Sequence, residues 1–268
     1  GLLSRQGDYY QVLDAGEHRL PWFNTPDVLV INTDGSEIPE ALAEYLRRFQ
    51  PTWVEQYCVV ADLTDTEAGA LYVNGVLQEI LPPATRRLYW QADEALKLVR
   101  MDTRQVLVPV DVMNAVLQPR RSGAVKGREA ILTVQVPAWH VGVLKIDGET
   151  QALLLPGLTA YWKVNHLIEA EVVDTRLQVL EVGGQEILTK DKVNLRLNLA
   201  ANWRYSDVLL AFGQLTKPLD HLYRELQFAL REAVGTRTLD ELLEDKLVID
   251  EVVSAQVKAR MTPFGIEV

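Results

Sequence analysis

The chain has a single cysteine and four histidines among its 268 residues. One thiol cannot form a disulfide within the chain, so no disulfide framework is expected and a reducing compartment is favoured. Cys58 lies in the apolar run 57–60, which favours a small buried side chain over a nucleophile. The spacing of the histidines matches no metal-binding motif, so we expect no metal site. The four are His18, His140, His166 and His221.

Long apolar runs and an excess of positive charge are also missing. No stretch approaches the roughly 18 apolar residues that span a bilayer, and no signal peptide is visible. With 27 basic and 37 acidic residues, the net charge is -10. This charge argues against nucleic acid as a partner and against electrostatic capture by anionic lipid. The one local basic cluster is interpreted as a loop between modules, and it comprises Arg120, Arg121, Lys126 and Arg128.

Catalytic motifs are missing as well. The acidic turn of Asp62, Asp65 and Glu67 lacks the glycine and the terminal glutamate of a calcium loop. Residues 123–127 lack the Gly-Lys-Ser ending of a phosphate loop, and there is no Gly-x-Ser-x-Gly elbow. We therefore predict no catalytic residues, no cofactor and no enzymatic activity. An enzyme with an unrecognised site is a third, weaker hypothesis.

A hairpin submotif occurs three times. In the third copy, residues 142–148 are followed by Leu-Pro-Gly, by Tyr161-Trp162 and by Asp174-Thr-Arg176. The second copy has the same order from residues 69–75 to Asp102-Thr-Arg104. The first is fainter, from residues 1–7 through Trp22 to Asn32-Thr-Asp34. Such repetition indicates serial units that stack on one another.

The local pattern predicts a β-hairpin in each copy and a strand that begins at the Tyr-Trp pair. Asn74-Gly75 and Asp147-Gly148 are typical of type I′ turns. Apolar spacing predicts an amphipathic helix over 39–49, ended by Pro51. We expect a strand over 57–63, a short helix over 112–118 and a strand over 131–136.

Beyond Asp174 the pattern changes from strands to helices. Gly183-Gly184 is interpreted as a hairpin turn between strands 177–182 and 186–188, and residues 193–200 alternate as a long half-buried strand. A helical stripe runs from Leu219 to Val234. Thr238 and Glu241 form a capping box. A last helix spans about 247–261, and a strand follows at 266–268.

These elements predict an α+β fold of serial small hairpin/helix modules, ending in a domain with a mixed or antiparallel sheet and C-terminal helices. The predicted modules are residues 1–66, 67–136 and 137–268. The chain begins within a recognisable unit, so we expect it to be a piece of a longer protein.

Five ordered motifs give the last module its resemblance. They are residues 173–176, 184–193, 230–235, 238–243 and 264–268. Together they resemble the SPFH or band 7 family of stomatin, prohibitin and flotillin, with bacterial slipins as the branch most similar. Asp245-Lys246 and Phe264 depart from the usual family pattern. The two upstream modules resemble partial duplications of the domain's opening hairpin.

The resemblance implies a membrane-associated scaffold that self-assembles into a homo-oligomeric ring or cage and organises membrane microdomains. Membrane lipid would be contacted through segments outside this chain, and a membrane protease is an implied partner. The implied location is the cytoplasmic face of a bacterial inner membrane, with the fragment itself soluble. The alternative is an adaptor or regulator that binds a protease or another client through the upstream modules.

Six residues of the family motifs are candidates for structural or assembly roles. Asp174 and Arg176 are two apart on one predicted strand, so they share a face and can form an ion pair or reach a neighbouring subunit. Thr189 and Asp191 begin a turn whose side chains can cap backbone groups. Arg231 and Glu232 complete the set. Because Asp102 and Arg104 repeat the first pair, a structural role is favoured, and a subunit contact is the alternative.

Overall fold

The computed structural model divides the chain into two compact units, Gly1–Ile131 and Leu132–Val268. It describes residues 1–14, 16–23, 25–31, 35–91, 96–118, 124–244 and 246–268. Several sequence-based expectations fall outside these ranges, namely the 32–34 segment of the first copy, Arg120, Arg121 and Asp245. The division into three modules remains a prediction.

Unit 1 has two groups of short strands, each followed by helix. Its strands are β1 (Leu2–Arg5), β2 (Asp8–Val12), β3 (Asp27–Leu29), β4 (Cys58–Asp62), β5 (Glu67–Val73), β6 (Val76–Leu81), β7 (Arg86–Trp90) and β8 (Leu96–Asp102). Its helices are α1 (Glu40–Phe49), α2 (Pro51–Tyr57) and α3 (Val110–Leu117), followed by a 3-10 turn at Arg128–Ala130.

Unit 2 places its strands before its helices, apart from a final short strand. The strands are β9 (Ile131–Val136), which starts at the unit boundary, β10 (His140–Ile146), β11 (Glu149–Leu154), β12 (Gly157–Trp162), β13 (Ile168–Asp174), β14 (Gln178–Leu188), β15 (Asn194–Tyr205) and β16 (Ile266–Glu267). The helices are α4 (Val208–Gln214), α5 (Pro218–Gly235), α6 (Leu239–Glu244) and α7 (Lys246–Met261), with a 3-10 turn at Thr262–Phe264. The expected α+β fold with antiparallel sheets and C-terminal helices is confirmed.

All three copies of the submotif contain the same three-stranded sheet. The strand orders are β2-β1-β3, β6-β5-β8 and β11-β10-β13. In each, the third strand pairs with the first strand of the hairpin. The second and third copies add a two-stranded sheet, β4-β7 and β9-β12, which joins the strand before the hairpin to the strand carrying the Tyr-Trp pair. The repeat in these copies is therefore five strands, larger than the hairpin visible in the sequence.

The hairpin turns have the predicted backbone. Asn74 and Gly75 have φ of 50° and 77°, and Asp147 and Gly148 have 53° and 85°. Two successive left-handed residues are what a type I′ turn requires, and its twist matches that of the flanking strands. Gln6 and Gly7 repeat this conformation in the first copy. The type I′ prediction is confirmed.

The core of unit 2 lies between the long β14-β15 hairpin and the helices α5 and α7. Alternate residues of the two strands point to the helices, with Val182 and Trp203 buried among them. From α5 the stripe contributes Leu222, Leu226 and other apolar residues to the same cluster. This confirms the predicted helical stripe and alternating strand, each of which buries one face.

One turn prediction is wrong. Residues Gly183 and Gly184 do not join two strands, because β14 runs through them from Gln178 to Leu188. The register against β15 shifts between Val182 and Gln185, so the glycines form a bulge. Gly184 takes a φ of 64°, and its N–H donates to Asn198 Oδ1 at 2.7 Å. Two glycines permit this conformation as readily as they permit a turn.

Two further expectations are corrected, and one helix was missed. Pro51 does not simply end a helix, since it is the first residue of α2, where its missing N–H has no cost. The Tyr-Trp pairs end β7 and β12 instead of beginning strands. Helix α4 was not predicted, because residues 208–214 form a short apolar run in which period alone cannot distinguish helix from strand.

Candidate functional site at the Asp-Thr-Arg turn

Asp174 and Arg176 form a local fork at the end of β13. The strand ends at Asp174, so Arg176 lies just beyond it, which corrects the prediction that both occupy one strand. The Arg176 backbone N–H donates to Asp174 Oδ1 at 3.0 Å, and its Nε donates to the same oxygen at 2.9 Å. Its terminal nitrogen donates to Asp174 Oδ2. The carboxylate therefore has three donors from one residue.

The threonine between them ties this turn to the start of the hairpin. Thr175 donates its backbone N–H and its hydroxyl to the carbonyl oxygen of Trp139, at 3.0 and 2.7 Å. Trp139 directly precedes β10, the strand that pairs with β13. The Asp-Thr-Arg segment thus fixes both the carboxylate and the entry to the hairpin. We call this arrangement the latch.

The second copy contains the same latch. Thr103 donates its N–H and its hydroxyl to the Thr66 carbonyl oxygen, both at 2.9 Å. Arg104 donates from its backbone N–H and Nε to Asp102 Oδ1, at 2.9 and 3.0 Å. Because the same contacts occur in two copies of one sheet arrangement, a structural role in that sheet accounts for them.

The charges at both latches are neutralised locally. The Arg176 side chain holds the pKa of Asp174 well below its usual range, with the Arg176 backbone N–H as the next cause. Arg104 lowers the pKa of Asp102 in the same way. His140 Nε2 lies 3.8 Å from Asp174 Oδ2. A carboxylate with a low pKa and an arginine partner is a poor general acid or base near neutral pH.

Thr189 and Asp191 lie in the turn between β14 and β15, and Asp191 caps the start of α6. The Thr189 hydroxyl donates to Asp191 Oδ1 at 2.5 Å and accepts the Val193 N–H at 2.9 Å. Asp191 Oδ1 also accepts the N–H of Leu239, the first residue of α6, at 3.2 Å. These bonds, the Thr189 hydroxyl first, lower the pKa of Asp191. The pair caps backbone groups, as such side chains commonly do.

Arg231 and Glu232 are neighbours on α5 but contact different elements. Arg231 donates to Gln185 Oε1 on β14 at 3.3 Å. Glu232 accepts from Arg260 on α7 at 3.2 Å, and the same arginine bonds Glu225 at 3.2 Å. Both residues therefore connect α5 to its packing partners.

The six candidate residues thus occupy separate places in unit 2: the latch, the cap of α6, and two sides of α5. Each has a structural contact of its own, and the contacts described do not link one group to another. No group of three or more His, Cys, Asp or Glu side chains suited to a metal ion occurs among the described residues. Burial raises the pKa of the Cys58 thiol to about 11, which suppresses the nucleophilic thiolate.

Comparison with known families assigns the second half of the chain. The model of the SPFH domain / Band 7 family matches residues 134–268, just over half of the sequence. The chain belongs to the SPFH/band 7 family. The match begins within β9 and extends to Val268, so it includes strands β10 to β16 and the helices of unit 2.

Relatives of the SPFH domain include stomatin-like proteins. A stomatin homolog from Pyrococcus horikoshii is 33% identical over 100 residues, which are 37% of this chain and 38% of that protein. Stomatin from Mus musculus is 28% identical over 96 residues, 36% of this chain and 34% of its own. An uncharacterized protein from Archaeoglobus fulgidus is 30% identical over 136 residues, 50% of this chain and 53% of its own. The matches therefore span between a third and about half of these relatives.

The structure also shows a surface of the SPFH domain that sequence reasoning missed. Trp139, Leu155 and Leu177 are 72%, 77% and 65% exposed. These three residues belong to no sequence motif, because the second and third copies share the backbone conformation of these loops and not their side chains. A large apolar residue directly after a predicted strand or turn could have been the signal. Among the described residues, no helix is long and apolar enough to cross a membrane.

Proposed function

We propose that this chain is part of a membrane-associated, self-assembling scaffold of the stomatin type, with no enzymatic activity. The scaffold organises membrane microdomains or partner membrane proteins at the cytoplasmic face of a bacterial inner membrane. Placement in the slipin branch and duplication of the opening hairpin belong to this proposal. Family membership supports it, and one observation carries it: a group of exposed apolar side chains at one end of the SPFH domain.

The three side chains lie at the same end of the β11-β10-β13 sheet. Trp139 precedes β10, and Leu155 follows β11, whose last residue pairs with Gly142 near the start of β10. Leu177 comes two residues after Thr175, which is hydrogen-bonded to Trp139. The latch therefore holds the Trp139 and Leu177 segments together, and the pairing of β11 with β10 brings Leu155 to the same end. We call Trp139, Leu155 and Leu177 the apolar tip.

At the corresponding positions the second copy has no large apolar side chain. The Thr103 hydrogen bonds equate Thr66 with Trp139. Gly69 pairs with Leu81 as Gly142 pairs with Leu154, so Pro82 occupies the position of Leu155. Gln105 directly follows Arg104 and therefore occupies the position of Leu177. Since the scaffold is the same, folding does not require large apolar residues at these places. Their presence in the SPFH copy is consistent with a contact outside the unit.

Besides the expected lipid contact through segments outside this chain, a lipid interface suits the tip. Tryptophan and leucine favour the headgroup boundary, where an indole can keep its N–H hydrated. Full burial of each such side chain contributes about 1.5–3 kcal/mol. The sum is comparable with the weak, reversible binding of one myristoyl chain. With a net charge of -10, this contact would depend on apolar insertion and little on lipid charge.

Flotation with neutral phosphatidylcholine vesicles tests the tip. We expect a detectable fraction of the chain to float, and this fraction to persist at high salt because the contact is not electrostatic. Changing Trp139, Leu155 and Leu177 to Ser should remove it. The matched control changes Leu107, Val110 and Leu117 to Ser, which are 56%, 64% and 44% exposed in unit 1. Equal flotation of the two variants would refute the tip as the lipid contact.

Self-assembly is tested on the full-length protein extracted from membranes. Electron microscopy should show closed rings or cages of identical subunits, since closed symmetry is usual for homo-oligomers. A monodisperse monomer in native lipid would overturn the scaffold proposal. For the present chain alone we expect weak, concentration-dependent association.

The alternative proposal is an adaptor that binds a membrane protease or another client through the upstream modules. It is supported by the compactness of unit 1, a body with its own hydrophobic clusters. Deletion of residues 1–131 from the full-length protein separates the two proposals. Loss of the client with retained assembly favours the adaptor, and loss of assembly favours the scaffold.

A further inference from the structure

A cavity in the SPFH domain is lined by residues from β13, the end of β15, α4 and the start of α5. Its volume is about 460 Å³, which is in the range of small-molecule sites in proteins. Asp174 and Gln178 line its edge, and in the chain they flank Leu177, a residue of the apolar tip. The cavity therefore lies directly beside the apolar tip.

Three aromatic side chains line this cavity. Trp203 and Tyr205 on β15 are in edge contact, with their ring centroids 5.1 Å apart and their planes at 82°. The ring of Phe212 on α4 lies 5.8 Å from that of Tyr205. Aromatic faces attract cations because the face of the ring carries a negative potential. The aromatic lining therefore favours a positively charged group that has an alkyl part.

Two polar groups of the aromatic lining have no hydrogen-bond partner among the described residues, namely the Trp203 indole N–H and the Tyr205 hydroxyl. Trp203 is only 3% exposed, and a buried donor without an acceptor is costly. Burial, and after it the charge of Glu171, raises the pKa of Tyr205 to about 12, so its hydroxyl stays protonated. Both groups can therefore donate to an oxygen atom of a bound molecule.

The charges around the cavity leave one carboxylate without a partner. Asp174 is neutralised by Arg176, and Lys217 Nζ lies 3.9 Å from Asp220 Oδ2. Glu171 also lines the cavity, but within the part of the chain that the structure describes it forms no ion pair. Its carboxylate can accept hydrogen bonds from a cation. The Lys217 side chain, 77% exposed, can reach an anion at the mouth of the cavity.

We propose that this cavity binds phosphoethanolamine, as the headgroup of a phospholipid or as the free compound. The ammonium group donates to Glu171 and lies against the aromatic lining. The phosphate oxygens accept from the Trp203 indole N–H and from Lys217. A primary ammonium suits the site better than a quaternary one, because only the primary group has N–H donors for Glu171. The lipid source rests on the proposed membrane contact of the apolar tip, whereas binding of the free compound does not.

An NMR titration of the chain with free phosphoethanolamine tests the site. The signal is the indole N–H of Trp203, assigned by its loss in Trp203→Phe, and we expect it to shift saturably. Glu171→Gln should weaken the affinity at least about tenfold, because it removes a charged acceptor and keeps the side-chain shape. The matched control, Glu169→Gln, makes the same change two residues away on β13 and outside the cavity lining. It should bind as the unchanged chain does.

Inorganic phosphate, ethanolamine and phosphocholine are the comparison ligands. Each should bind at least about tenfold more weakly than phosphoethanolamine, because each lacks either the phosphate, the ammonium or its N–H donors. Absence of a saturable shift would overturn the proposal. Equal effects of the two glutamine variants, or equally tight binding of any comparison ligand, would overturn it as well.

Flotation distinguishes the lipid from the free compound. Phosphatidylethanolamine added to the phosphatidylcholine vesicles should raise the floating fraction several-fold, and Glu171→Gln should lose only this increase. The variant with Trp139, Leu155 and Leu177 changed to Ser should float with neither vesicle and keep the NMR shift. If the free compound binds and the added lipid changes nothing, the lipid source is wrong. If the free compound binds and the unchanged chain floats with neither vesicle, the tip proposal fails and the cavity site stands.

Discussion

Thr175 donates both its backbone N–H and its hydroxyl to the carbonyl oxygen of Trp139. These two hydrogen bonds to one acceptor join the end of β13 to the residue before β10. Thr103 makes the same contacts with Thr66 in the second copy. The conserved geometry within one chain explains why Asp-Thr-Arg recurs: it closes the repeat.

The threonine hydroxyl should contribute measurably to stability. Thr103 is fully buried. The change Thr103→Val removes the hydroxyl hydrogen bond, while the Thr66 carbonyl oxygen still accepts from the backbone N–H of residue 103. We expect the free energy of unfolding in urea to fall by about 1 kcal/mol. Thr175→Val, at a half-buried position, serves as the comparison and should cost less. A larger loss at Thr175 than at Thr103 would contradict this account.

The latch carboxylates should make stability depend on acid. The pKa values of Asp102 and Asp174 are lowered by their arginine partners, against about 3.9 in the unfolded chain. Their contribution is therefore fully present above that pH and is lost as the pH falls through the lowered values. The double variant Asp102→Asn, Asp174→Asn should be less stable at neutral pH. Its deficit should shrink between about pH 4 and pH 2 in urea titrations; a constant deficit would count against the prediction.

Asp191 should hold the first turn of α6. Asp191→Ala removes the acceptor of the Leu239 N–H, one of the donors that a helix start leaves without an intrahelical partner. We expect faster amide exchange at Leu239, measured by hydrogen-exchange NMR. Asp240→Ala changes the charge of the same turn but keeps the Asp191 acceptor, so exchange at the Leu239 amide should be slower in this variant than in Asp191→Ala. Equal effects would assign the result to the helix dipole.

Gly265 should be intolerant of any side chain. It has a φ of 69°, and a Cβ there would lie 2.3 Å from the Asp207 carbonyl oxygen. Its own carbonyl accepts the N–H groups of Ser206 and Asp207. Gly75, with a φ of 77° and no atom within 4 Å of a Cβ, provides the control. Gly75→Ala should cost about 1 kcal/mol and Gly265→Ala more than about 3 kcal/mol, as measured by thermal unfolding.

Elements with local causes could be predicted from the sequence. The α1 stripe, the type I′ turns and the Thr238–Glu241 capping box depend on residues within one or two turns of chain. The capping box is confirmed by the Thr238 N–H donating to Glu241 Oε2 at 2.8 Å. The backbone N–H and hydroxyl of Thr238 also lower the pKa of Glu241. The five family motifs likewise led to the family that the comparison confirms.

Features that depend on distant partners could not be predicted. The β4-β7 pairing places Cys58 opposite Trp90, and the sequence of neither strand specifies its partner. Gly183-Gly184 is compatible with a turn or a bulge, and only the register against β15 decides. The exposure of Trp22 and Trp139 depends on what packs over them, which the residue type alone does not specify: Trp22 is 92% exposed, whereas Trp90 and Trp162 are buried.

The sequence by itself determined the hairpin turns, the helical stripes and the SPFH assignment of the second half, because turn chemistry, helical period and motif order are local properties. Only the tertiary structure decided which segments pair and which side chains are buried. It showed that the Asp-Thr-Arg segments close sheets, that the six candidate residues lie apart, and that apolar side chains remain open at Trp22 and at the apolar tip. The physical reason is that burial and strand pairing are relations between residues far apart in the chain, and only the folded arrangement specifies them.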